Sequence, residues 1–246
     1  MAGLAVPAPA AEAPPAVHPL LTGPAEALAE HAAMRLLEEA GIPTARAVLA
    51  RTAEEAAAAA EAIGARCAMK VQSPNIPHKS DAGAVALDVA PADAAAAFAR
   101  VLANARAAVP GAAVEGVLVQ RMVRGGVEVI LGARHDSAYG PAVLVGLGGV
   151  LAEALEDVAV ALAPVSPERA ASMIAGLRGA RLLRGFRGAP PADIGALEAA
   201  VGALSRYALA NAATLETLEI NPLLVLPAGE GVVAVDALAT VRRAPA

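Results

Sequence analysis

Ala68-Met69-Lys70-Val71-Gln72-Ser73-Pro74-Asn75-Ile76-Pro77-His78-Lys79-Ser80-Asp81-Ala82-Gly83-Ala84-Val85 holds both lysines of a chain with 19 basic residues; every other one is arginine. An ammonium is a compact point charge with three donors, whereas guanidinium is a planar fork, so two lysines beside a histidine point to phosphate as the object. Residues 68–71 and 85–89 read as short strands, which leaves 72–84 as a connection too long for a tight hairpin turn. Loops of that length are usually functional or disordered. Taken singly, Lys70 also reads as a lysine snorkelling from a strand end, and His78 as a solvated loop histidine. Their shared loop, with Lys79 and with Gly83 where backbone could approach an anion, strengthens the phosphate reading.

The whole chain narrows the classes further. Its 246 residues carry a net charge of −5, with aromatics at 2% and a pI near 5.4, against the basic patches and stacking platforms of a nucleic-acid binder. Hydrophobic residues reach 57%, largely alanine, and no long uninterrupted apolar run marks a membrane span. A lone cysteine, Cys67, excludes a disulfide framework and a cysteine zinc site. A reducing, cytoplasmic setting is expected. Residues 1–19, rich in Ala and Pro and without a basic start, read as a flexible tail rather than a secretory signal.

Along the chain, Thr22-Gly23-Pro24 predicts a helix closing at Gly41-Ile42-Pro43. A short strand at Val48-Leu49 precedes a capping box, Thr52-Ala53-Glu54-Glu55, that opens a helix to Gly64. A helix over 91–109 and strands over 114–120 and 127–133 follow, with Arg124-Gly125-Gly126 as a bent or hinged connection. Further strands are expected at 143–146 and 158–162, and helices over 166–176 and 193–210. The end reads as a hairpin, 217–226 and 232–238, around Pro227-Ala228-Gly229. This order favours α+β lobes over a regular βαβ repeat.

A hairpin folded symmetrically about Ala228 and Gly229 sets Asn221 opposite Asp236. Opposed β-carbons lie about 5 Å apart, close enough for two side-chain oxygens to reach one Mg²⁺ at about 2.1 Å each. Glu219 shares that face. Asn221-Pro222 as a strand end and Asp236 as a turn residue is the plainer reading. Glu128, interrupting an apolar strand, reads equally as an edge residue or as a ligand for a polar group. Gly146-Leu147-Gly148-Gly149 falls short of a dinucleotide fingerprint because Leu151 stands where glycine is needed, and no P-loop motif exists.

Met69-Lys70-Val71, Ser73 to Asp81, Gly146-Leu147-Gly148-Gly149, Leu183-Arg184-Gly185-Phe186-Arg187-Gly188 and Glu219-Ile220-Asn221-Pro222-Leu223 occur together in the order and spacing of a known family. From about His18 onward the chain resembles the ATP-grasp part of the NDP-forming acyl-CoA synthetases, the ADP-forming acetate–CoA ligases related to the succinyl-CoA synthetase β subunit. The resemblance implies an α+β ATP-grasp fold whose two lobes enclose a nucleotide site: 20–45 with 120–246, and 46–119. It implies that Lys70 contacts ATP phosphates, that the strand through Gln120 to Met122 gives backbone hydrogen bonds to adenine, and that Asn221 and Asp236 ligate Mg²⁺. His78 would carry a phosphoryl group, with Lys79 offsetting its charge.

The implied reaction is acyl-CoA + ADP + phosphate ⇌ carboxylic acid + CoA + ATP. It needs CoA-binding and ligase domains that nothing here resembles, so the resemblance implies a β subunit working with an α subunit, as α₂β₂, or part of a fused enzyme. Ala84 stands where the family loop usually has a second glycine. Two other classes stay open: a nucleotide-sensing module without turnover, and a carboxylate–amine ligase that needs no histidine.

Overall fold

Two antiparallel sheets organise the described residues, 19–22, 27–76, 79–149 and 157–242 of the computed structural model. The larger sheet takes β1 (Ala27–Leu28), β6 (Val127–Asp136), β7 (Gly140–Leu147), β8 (Val158–Leu162), β9 (Leu215–Val225), β10 (Val232–Ala234) and β11 (Ala237–Val241). Their spatial order is β1-β11-β9-β6-β7-β8, with β10 also on β9. The smaller sheet, β2-β5-β3-β4, is built from β2 (Ala47–Ala50), β3 (Cys67–Gln72), β4 (Val85–Val89) and β5 (Gly116–Arg121). Each sheet has its own apolar cluster. No helix among the described residues is long and apolar enough to cross a membrane.

In the larger sheet, side-chain alternation separates a packed face from an open one. Val129, Leu131 and Ala133 of β6, and Leu218 and Ile220 of β9, are buried in one cluster with residues of α1 (Glu30–Glu39), α4 (Pro167–Ala175) and α5 (Ile194–Ala210). The helix starts are capped as their sequences require. Ser166 Oγ accepts from the Arg169 N–H, and Asp193 Oδ1 from that of Ala196, which satisfies donors that the first turn leaves free.

The smaller sheet is covered by α2 (Ala53–Ile63) and α3 (Ala94–Ala108), whose alanines, such as Ala56, Ala60, Ala97 and Ala105, allow close approach. Thr52 caps α2 through the Glu55 N–H, and Gly64 ends it in the left-handed conformation. All six residues of β3 are buried. Cys67, Met69 and Val71 join the apolar cluster under the helices. Alternation therefore turns Ala68, Lys70 and Gln72 to the opposite face, toward the larger sheet.

Three expectations change. The first helix starts at Glu30 rather than near Thr22, because Ala27 and Leu28 pair with Thr240 and Ala239 as a sheet edge; residues 23–26 lie outside the described set. The terminal strand expected over 232–238 is interrupted at Val235-Asp236, which splits it into β10 and β11. The smaller sheet extends through Arg121, so the chain crosses between sheets at 122–126 rather than at 120.

Gly125 and Gly126 in this crossing both have positive φ, 80° and 84°. A β-carbon on Gly126 would sit 2.7 Å from the Val225 carbonyl oxygen, whereas one on Gly125 would meet nothing within 4 Å. Gly125→Ala is expected to cost about 1 kcal/mol through backbone strain alone, and Gly126→Ala roughly 3 kcal/mol. Urea denaturation of both variants checks this; equal losses would remove the steric part of the argument.

Candidate functional site

Where Lys70 leaves β3, three chain segments converge. Its Nζ donates to Glu30 Oε1 and to the Val235 carbonyl, both at 2.6 Å, and lies 3.8 Å from Asp236 Oδ2. Lys79 Nζ donates to the other Glu30 oxygen at 2.9 Å and stands 4.0 Å from Asp236 Oδ1. The chain's two lysines thus share one carboxylate, Glu30, whose side chain has no exposure at all. Sequence reasoning missed Glu30. Its only signal was a charged first residue on a helix that otherwise turns apolar side chains inward, and the misplaced helix start concealed it.

Gln72 completes the join between the sheets. Its Nε2 is 3.5 Å from Glu30 Oε2, its Oε1 accepts from the His31 N–H at 2.9 Å, and its carbonyl accepts from the Glu115 N–H at 2.9 Å. Burial alone would push the Glu30 carboxyl up, but the Lys70 and Lys79 ammoniums override it and hold Glu30 below the usual range. Asp236 moves the other way. Burial raises its pKa and the Glu30 charge adds to that, against the pull of the lysines. Its side chain remains 40% exposed, facing the cleft.

A cleft of about 420 Å³ opens beside this cluster, lined among others by Lys70, Gln120, Met122, Glu128, Leu224 and Asp236. The interruption between β10 and β11 puts Asp236 at its wall. Asn221 does face Asp236: the Asn221 N–H donates to the Asp236 carbonyl, and that of Val235 to the Pro222 carbonyl. Glu219 lies two pairs further along, on the same face, opposite Leu238 and exposed, with its side chain over Gly132. No three His, Cys, Asp or Glu side chains converge as a metal-binding group among the described residues. A cation here would draw one or two oxygens from the protein and the rest from phosphate and water, as Mg²⁺ sites commonly do.

The other candidates divide. Gln120 is 2% exposed and its Nε2 is buried without a hydrogen-bond partner, an orphan donor at the cleft wall that costs free energy until something accepts from it. The Arg121 N–H is bonded to the Arg46 carbonyl and the Met122 N–H to that of Arg66. Of the backbone hydrogen bonds expected from this segment, donation by the N–H groups of 121 and 122 is already taken up within the protein, and the side chain of Gln120 is a further donor. Gly83 does not present backbone to an anion either. At φ 60° it is a turn residue, its N–H bonded to the Ser80 carbonyl and its carbonyl to Asn104 Nδ2. Ala84, in place of a glycine, fits fully buried in the smaller core. Glu128 is exposed at the cleft, with its carbonyl accepting from the Gly148 N–H at 2.7 Å. His78 lies outside the described residues.

Known proteins resemble this chain along most of its length. A model of the ATP-grasp domain matches residues 20–241. An ADP-forming acetate–CoA ligase I of Archaeoglobus fulgidus is 41% identical over 80% of this chain, which spans 29% of that relative's length. The β subunit of ADP-forming acetate–CoA ligase II of Pyrococcus furiosus is 37% identical over 86% of this chain and 90% of the subunit. A dinucleotide-forming acetyl-coenzyme A synthetase 1 of Ca. Korarchaeum cryptofilum, solved with coenzyme A and Ca-AMPCP, superposes with a TM-score of 0.84 at 36% identity, covering 88% of this chain and 94% of that one. The same enzyme with Mg-AMPPCP, its phosphohistidine segment pointing towards the nucleotide binding site, gives 0.77 at 33% identity, covering 88% and 93%.

Lys70→Met should destabilise the fold by about 3–5 kcal/mol, because it strips the buried Glu30 of its shorter ion pair. Lys79→Met, at a more accessible pair, should cost less. Thermal and urea unfolding would show the order; an Lys70 variant as stable as wild type would contradict the assignment of this pair to the sheet junction.

Proposed function

The chain belongs to the ATP-grasp domain family, and on that premise we propose that it is the nucleotide-binding β component of an ADP-forming acyl-CoA synthetase. The observation that carries the reading is the cluster of both lysines, Glu30 and Asp236 beside a cleft that Lys70, Asp236 and Gln120 line, the Gln120 Nε2 being without a hydrogen-bond partner. The extent of the match to a separate β subunit supports it. In this reading residues 46–121 form one lobe, residues 20–45 with the chain beyond the crossing at 122–126 form the other, and nucleotide lies between them.

Among the described residues Lys70 makes two short bonds and Lys79 one, so one N–H of the first and two of the second are offered to the phosphate chain. The Gln120 amide presents a donor and an acceptor together, the pattern complementary to an adenine edge; a guanine edge asks for two donors. Asn221 and Asp236 would hold Mg²⁺, with Glu219, exposed on the same face of β9, as a further oxygen donor. When bound, the ion neutralises charge on the transferring phosphoryl group.

His78, next to Lys79 in sequence, is proposed as the phosphoryl acceptor. Its unprotonated ring nitrogen attacks the γ-phosphorus, the N–P bond forms as the bond to the bridging oxygen breaks, and ADP leaves with the electron pair. The reverse step makes ATP. CoA and the acid would be handled by an α partner or by the rest of a longer chain, in acyl-CoA + ADP + phosphate ⇌ acid + CoA + ATP.

With γ-labelled ATP and Mg²⁺, acid-labile label should appear on His78 and vanish in His78→Ala; no label even with the CoA-binding partner present would sink the relay. The metal dependence should also follow Asp236. Only its ionised form binds a cation, and its pKa is raised. Apparent Mg²⁺ affinity should therefore fall as pH drops, and do so above the pH at which an ordinary Asp would protonate. Titration of Mg²⁺-dependent ADP binding against pH checks this, and Asp236→Asn should flatten the profile.

A further inference from the structure

Glu30 does more than neutralise a buried lysine. Its two oxygens take one lysine each, Lys70 at 2.6 Å and Lys79 at 2.9 Å, so the two ammoniums are fixed side by side; Lys70 lines the cleft and Lys79 is held next to it by the same carboxylate. Lys79 also opens a closed turn. Its carbonyl accepts from the Ala84 N–H, the Ser80 carbonyl accepts from the Gly83 N–H, and the Val71 N–H reaches back to the Ala84 carbonyl. The Lys79–Glu30 pair is the one ion pair between a side chain of this turn and α1 among the described residues. A long lysine side chain loses rotamer freedom when it is ordered, and here that ordering is done by the protein before any ligand arrives.

We infer that Glu30 is a positioning residue: its buried carboxylate sets both lysine ammoniums in place and pins the turn 79–84 to the cleft, so that their remaining donors meet a polyphosphate chain together. The inference rests on the nucleotide reading of the cleft, but half of its test does not.

Because the chain has only two lysines, each can be followed separately. Brief acetylation with an N-hydroxysuccinimide ester at one fixed pH, read by peptide mass spectrometry, should find both protected in wild type. In Glu30→Gln, Lys79 should acylate at least about tenfold faster, with Glu30→Asp in between; Lys70, still held by the Val235 carbonyl, should change less. Unchanged Lys79 reactivity in a folded Glu30→Gln protein would overturn the inference.

The second half measures binding without turnover. ADP affinity should fall about tenfold in Glu30→Gln while AMP, lacking the phosphate that reaches the lysines, changes by less than about twofold. Equal losses for AMP and ADP would mark a general structural defect and overturn the positioning role. The Glu30→Gln/Lys79→Met double variant should bind ADP no worse than Lys79→Met with the loss through Lys70 added, since neighbours acting through one contact are not additive. If Glu30→Gln does not fold, Glu30→Asp carries both measurements and Lys79→Met carries the binding comparison. Should wild type bind no adenine nucleotide, the nucleotide reading fails, while the acylation result still decides the place of Glu30.

Discussion

The buried bond from Lys70 to Glu30 is the constraint on which the rest depends. It joins a residue of the smaller sheet to the first turn of a helix packed on the larger one, 40 positions apart in sequence, and the Val235 carbonyl, 165 positions from Lys70, closes the third side. An unpaired charge at that depth would cost several kcal/mol, so the two sheets must meet in the arrangement that pairs it. The cleft lies where they meet.

The cluster's formal charges balance: two ammoniums against the carboxylates of Glu30 and Asp236. Such a set holds together without a ligand, yet it has little net pull on an anion at a distance. What it offers a polyphosphate is ordered donors at contact range. A cation between Asn221, Asp236 and the phosphates would tip the balance toward positive, which gives the half-exposed Asp236 a role that its raised pKa alone does not.

Much of this was legible in the residues. Alternation and turn chemistry gave nearly every strand and the caps at Thr52, Ser166 and Asp193, and simple symmetry about Ala228 set the register that puts Asn221 against Asp236. The lysine-bearing loop was recognisable because a chain that uses arginine everywhere else abandons it there. Glu30 was not, because a single glutamate at a helix start looks solvated until the tertiary contact that buries it is known. Gly83 misled for a related reason: glycine signals positive φ, and whether that φ serves an anion or a turn is settled by Asn104 and Ser80, which the local sequence does not place. The backbone donors of Arg121 and Met122 are likewise taken by partners more than 50 residues upstream, Arg46 and Arg66, which local patterns do not place.

The central claim, that a charge-balanced lysine and carboxylate cluster becomes a nucleotide phosphate site when a cation joins it, is tested most directly by calorimetric titration of the chain with ADP in the presence and absence of Mg²⁺. The account predicts binding at least about tenfold tighter with Mg²⁺, a gain that Asp236→Asn abolishes. Equal affinity with and without the metal, or a gain that survives Asp236→Asn, would contradict it.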